Sequence, residues 1–221
     1  MPLEGGASQT MTDQDRDRRA ALQLDKAELA ELVRLERQWR DKAKWDELVD
    51  CYVEESRIRT TWFSGSAREF AAQARKMTER GGGRPSKHLI SPVEIHVRGD
   101  RAVVESVGEI HNRDTLEGVP IDTIQYCRFL SRAVRTAAGW KLASFDGIYQ
   151  KDVITPVFPG DVVSIDREEF EALRPSYRVW AYMLSRKGHE VPQGDEIVAE
   201  DRPEVVADFI DAAHRWLDAG G

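Results

Sequence analysis

Two periods alternate along this chain, and the points where one gives way to the other outline its elements. Behind the D-x-x-E capping signal of Asp25 and Glu28, the residues Leu29, Leu32, Val33, Leu35 and Trp39 return at helical spacing, which predicts an amphipathic helix ending in Arg40-Asp41-Lys42. WDELVDCYV reads as a second, short helix and SRIRTTWF as a strand. Ser66 and Glu69 repeat the capping signal ahead of a third helix, Ala67 to Thr78, with Phe70, Ala71, Ala74 and Met77 on one face. GGGRPS then breaks the chain, and the period falls to two. His88 to Asn112 reads as a β-hairpin folded at Arg98-Gly99-Asp100. RDTLEGVP reads as a loop, IDTIQYCRFLSRAVR as a long strand and, after the turn TAAG, WKLASFDGIYQ as another. Beyond VITPVFPGD a helical pattern is interrupted at Pro175, and a last helix follows with Asp201 as its cap and Pro203 early.

Helices first and hairpin-linked strands afterwards predict an α+β fold: a strongly curved, mainly antiparallel sheet whose concave side is closed by helices, leaving a pocket. Residues 1–22 offer almost nothing to bury and read as a mobile tail, residues 23–159 as the domain, and residues 160–221 as a helical extension. The extension has no sheet of its own, so its helices are expected to pack on the core, cover the pocket mouth or join subunits.

Charge and cysteine content narrow the function. A formal net charge of -7 argues against a sequence-independent grip on nucleic acid. The two cysteines, Cys51 and Cys127, have no nearby Cys or His at metal-ligand spacing. No apolar h-region or membrane-length run is present, and the expected location is the cytoplasm, with no membrane partner.

The chemistry-bearing feature is the hairpin. Antiparallel pairing leaves His88, which opens its first strand, roughly opposite His111, near the end of its second. His88 and Ile90 face the same way as Val93, Ile95 and Val97 only if a bulge at Ser91-Pro92 shifts the phase by one.

With these segments in order, the chain from Leu24 to Pro159 resembles the SnoaL-like branch of the nuclear transport factor 2-like superfamily, and most nearly scytalone dehydratase. DKAKWDEL resembles the segment between that family's first two helices, KHLIS the start of its first long strand, IHN the end of the partner strand, and GWKLASFDGIY the last strand. The resemblance implies a cone-shaped sheet and a trimer in preference to a dimer. It implies that Asp41 orients a histidine, that His88 is the histidine acting as base or acid, and that His111 is the second histidine. Where scytalone dehydratase holds a water with two tyrosines, this chain has Arg40 and Thr60, which points to a substrate other than scytalone. Substrate contacts are further expected from Trp62, Tyr126, Phe129 and Tyr149, with Trp39, Phe70 and Phe145 as other candidate walls.

An Asp and His pair can move protons near neutral pH, the carboxylate fixing the imidazole tautomer and favouring its charged form. The expected activity is a cofactor-independent elimination on a small aromatic hydroxylated substrate, by dehydration or by retro-aldol release of formaldehyde, as in some SnoaL-like lyases acting on lignin-derived diaryl compounds. Asp41, His88 and His111 also have the composition of a two-histidine, one-carboxylate metal site, although the resemblance implies metal-free work. A non-catalytic assembly module, like the small subunits of ring-hydroxylating oxygenases, is the alternative.

Overall fold

A computed structural model describes residues 12–80 and 86–220. The first half of the expected tail, residues 1–11, and the break at 81–85 lie outside the described residues. The elements in order are α1 (Asp13–Asp41), α2 (Trp45–Asp50), β1 (Tyr52–Arg59), β2 (Ser64–Gly65), α3 (Ala67–Arg80), β3 (Lys87–Arg98), β4 (Arg101–Leu116), β5 (Val119–Thr136), β6 (Gly139–Pro156), α4 (Arg167–Glu171), α5 (Arg178–Ser185) and α6 (Pro203–Asp218).

The first helix starts well before Asp25. Thr12 caps it, its hydroxyl accepting from the Asp15 amide, and residues 13–22 form exposed helical turns. Those turns bury nothing, so hydrophobic periodicity could not reveal them. Asp25 is not a cap but a tether: its carboxylate accepts from Arg135 and from Trp140 Nε1, fastening α1 to the β5–β6 hairpin. The capping box at α3 is as expected, with Ser66 and Glu69 bonding reciprocally.

The strands form one mixed six-stranded sheet in the order β2-β1-β6-β5-β4-β3, antiparallel except where β1 runs parallel to β6. Gly99 turns the β3–β4 hairpin with φ +54. The expected loop RDTLEGVP is instead a continuation of β4 and β5 through a tight turn at Glu117 and Gly118, both at positive φ. Val93 is the extra residue in β3, because pairing shifts between Pro92 and Glu94. Ile95 and Val97 therefore share the inner face with His88 and Ile90, as the expected bulge required, but Val93, expected with them, is itself the bulged residue and points to solvent.

The inner face carries the main core: Phe129, Phe145 and Leu142 of the sheet against Leu29 and Val33 of α1, Phe70 and Ala74 of α3, and Tyr177 and Ala181 beside or in α5. Full burial of each large apolar side chain contributes roughly 1.5–3 kcal/mol. The extension splits between the faces. While α5 closes the inner face, α6 lays Val206, Ala213 and Leu217 on Val103, Leu130 and Ile148 of the outer face. Asp201 does not cap α6; it forms a fork with Arg174.

Candidate active site

The site begins with a break in the pattern of α1. The stripe that buries Leu29 and Val33 continues, a turn further on, into Glu36, Arg37, Arg40 and Asp41, which are only 0%, 3%, 7% and 3% exposed. Charges so buried need partners. Glu36 pairs with Arg37 and accepts from the Tyr52 hydroxyl at 2.9 Å, and the Arg37 guanidinium lies 4.0 Å from the centre of the Phe145 ring. Burial opposes the Arg37 charge, but Glu36 outweighs it and holds the guanidinium above its ordinary value.

Asp41, at the last turn of α1, is joined entirely to His88 on β3. One carboxylate oxygen is 2.6 Å from His88 Nδ1, and the other accepts from the His88 main-chain N–H at 2.6 Å. A carboxylate against Nδ1 fixes the neutral ring as the Nδ1–H tautomer and leaves Nε2 with its lone pair. The His88 side chain is 6% exposed. Burial pushes its pKa below the ordinary histidine value, the Asp41 bond pulls it back, and the nearby Arg37 and Arg40 charges push it down again. Asp41 favours the charged ring, as expected, but burial and the two arginines outweigh it, so the neutral ring predominates at pH 7.

His111 does not join this pair. It is paired with Lys87, whereas His88 pairs with Ile110, so the two histidines point to opposite faces of the sheet. The cause is the Val93 bulge. The register set by the Gly99-Asp100 turn would bring His88 opposite His111, and the extra residue slips it by one. His111 instead bonds Glu109 at 2.8 Å and is 37% exposed. Asp41, His88 and His111 thus do not assemble as a metal site, and among the described residues no group of three or more His, Cys, Asp or Glu side chains could hold a metal ion. In the place expected for His111, the inner face has a hydrogen-bonded chain: Ser86 to Asn112, Asn112 to Gln125 at 3.1 Å, and Gln125 to Thr123 at 3.2 Å.

His88 lines a narrow inner cavity of about 60 Å³. Arg40, Thr60, Trp62, Phe129 and Tyr149, all expected at the site, line it too, with Phe70 and Phe145. Trp39 packs on the core elsewhere, with Lys42 over its ring. Tyr126 is on the outer side of β5 under Lys151 and reaches only a broader cleft of about 540 Å³, which shares Arg37 and His88 with the cavity. Arg40 Nη1 and Thr60 Oγ1, two of the buried polar atoms without a partner among the described residues, belong to residues that line the inner cavity. Arg37, Thr61, Gln125 and Trp180 also line it and escaped the sequence reading. Gln125 had a signal, a polar residue on the inward parity of β5 between Thr123 and Cys127. Trp180 had none, because α5 reaches the cavity only through the tertiary fold. Its indole donates to the Thr61 hydroxyl at 3.1 Å, and the Thr61 main-chain N–H donates to the Tyr149 hydroxyl at 3.0 Å.

Among curated proteins the chain is similar to pea pathogenicity protein 2 of Fusarium vanettenii, 26% identical over 163 residues that cover 73% of this chain and 70% of that one. Among solved structures it is similar to an NTF2-like protein with a cystatin-like fold from Novosphingobium aromaticivorans, with 19% identity, a TM-score of 0.49, and coverage of 64% of this chain and 90% of that one. A second structure from that organism, provisionally named a scytalone dehydratase, is 22% identical with a TM-score of 0.44, covering 71% of this chain and 99% of that one. The model of the SnoaL-like domain matches residues 23–146, spanning α1 to the middle of β6 and including Asp41 and His88, and the chain belongs to that family.

Proposed function

We propose that this protein is a lyase in which one neutral histidine, His88, both removes and returns a proton. The observation that carries this reading is the bidentate grip of Asp41 on His88, which leaves Nε2 as the free ring nitrogen of a side chain that lines both the aromatic-walled cavity and the broader cleft. With His111 on the other face, a division of labour between two histidines gives way to a shuttle. In a dehydration, Nε2 takes the proton from a carbon beside a carbonyl or ring, and the electron pair moves into that system. The imidazolium then gives the proton to the departing hydroxyl, the C–O bond breaks and water leaves. In the retro-aldol variant, Nε2 takes the hydroxyl proton of a hydroxymethyl group, the C–C bond breaks to release formaldehyde, and the proton returns to the carbon. Both use a small aromatic hydroxylated substrate and neither needs a redox group. A positioned base of this kind supplies about 10²–10⁴-fold.

The test is turnover of aromatic β-hydroxy ketones, naphthalene-type polyketides and diaryl propanediols, followed by absorbance and by formaldehyde release, for the wild type and His88→Ala. Turnover by the wild type that vanishes in a folded His88→Ala protein is expected. Equal turnover by both would remove His88 from the chemistry.

A further inference from the structure

The polar groups around the inner cavity can be taken one by one. Arg37 is occupied by Glu36, Thr61 Oγ1 by Trp180, the Tyr149 hydroxyl by the Thr61 N–H, Ser86 by Asn112, and Gln125 by Asn112 and Thr123. Of the residues lining this cavity, two have a buried side-chain atom without a partner among the described residues: Arg40 Nη1 and Thr60 Oγ1. Arg40 is 7% exposed, and its recorded ring contact is with Trp45 at 5.9 Å. A buried guanidinium N–H with nothing to bond is costly, and the cost disappears when an oxygen anion enters.

We propose that Arg40 Nη1 and Thr60 Oγ1 form a subsite for an oxygen anion, and that the substrate is a phenol or enol whose oxygen is conjugated to the carbon attacked at His88. The geometry assigns the anion to a ligand because no carboxylate of the described residues bonds Arg40. The volume agrees: about 60 Å³ has room for the oxygen end of a ligand rather than a substituted ring. Burial, then the Arg37 charge, lower the Arg40 pKa to about 10, so the group is still a cation at neutral pH and gains from a matching anion. The chemistry fits both eliminations, since the electron pair released as a C–H or C–C bond breaks ends on this oxygen. The inference rests on the proton-shuttle reading for the position of the reacting carbon, but not for binding of the anion.

The experiment uses 4-nitrophenol, whose phenolate is seen by absorbance, with 4-nitroanisole as the neutral comparison, on the full chain. The wild type is expected to bind the phenolate at least tenfold more tightly than the anisole and to lower the apparent pKa of the bound phenol. His88→Ala is expected to keep that preference. Arg40→Met is expected to lose it tenfold or more, and Thr60→Val about threefold. Arg40→Met removes an unpartnered buried charge, so its melting temperature is expected to hold or rise. Failure of the wild type to bind, equal binding of phenol and anisole, or an unchanged preference in folded Arg40→Met would each overturn the proposal. Loss of turnover in His88→Ala is a separate readout, so the subsite and the shuttle can fail independently.

Discussion

Replacing Asp41 by Asn changes one atom at the centre of the site. Both Asp41 oxygens accept from His88, each at 2.6 Å, one from the ring and one from the main chain. Asn keeps one acceptor and turns the other into a donor, so one bond to His88 must go. Hydrogen bonds to a charged partner contribute about 1.5–3 kcal/mol each, and a donor facing a donor costs more. The ring can escape that clash by moving its proton to Nε2, letting Nδ1 accept from the amide. Stability then falls by only ~1–3 kcal/mol, but the lone pair no longer faces the cavity. The expected result is a folded protein whose kcat/KM drops about 10²–10⁴-fold, as when a general base is lost. Urea unfolding measures the first quantity and turnover of a panel substrate the second. A loss of activity under tenfold, in a protein with that stability change, would refute the tautomer reasoning.

Other substitutions separate the inner face from the rest. His111→Ala should leave turnover within twofold of the wild type, and a loss comparable to His88→Ala would put His111 back in the site. Gly108→Ala should destabilise by ~1–3 kcal/mol in urea unfolding, because a Cβ there would lie 2.6 Å from both the Leu89 carbonyl oxygen and the Phe129 ring. Asp152 accepts from the Trp180 main-chain N–H at 2.7 Å, and burial pushes its pKa up to about 6. A raised carboxylate means that the folded protein binds this proton first as pH falls. The Asp152 contribution to stability therefore grows from about pH 6 down toward the ordinary carboxylate range and is lost as pH rises through about 6. Asp152→Asn should flatten stability across that window, and an unchanged profile would contradict it.

The residues also show which parts of the fold could be read in advance. The period-two runs and the Ser66–Glu69 box specified β3 to β6 and α3, since each signal is local. The parallel pairing of β1 with β6 was hidden, because partners far apart in sequence leave no local pattern. The Asp41–His88 pair was reached through the family's segments, and its geometry agrees. His111 failed for a smaller reason: the phase argument demanded a bulge near Pro92, and the same bulge changes which residue of β4 stands opposite His88. Arg40 was reached through the resemblance, whereas Arg37 was legible in principle as a charge on the stripe that buries Leu29 and Val33. Periodicity read by apolar residues alone passes over the positions where that stripe turns polar.

Nitrogen-15 NMR of the histidine side chains, titrated from pH 8 to pH 4, tests the dyad most directly. His88, identified by comparison with His88→Ala, is expected to be neutral at pH 7 with its proton on Nδ1. Its midpoint is expected below the ordinary histidine pKa, the direction set by burial and by Arg37 and Arg40. Its contribution to stability is then full above about pH 6.5 and falls as acid protonates the unfolded chain first. A His88 ring that is charged at pH 7, or that carries its proton on Nε2, would contradict the claim that Asp41 presents a free base to the cavity.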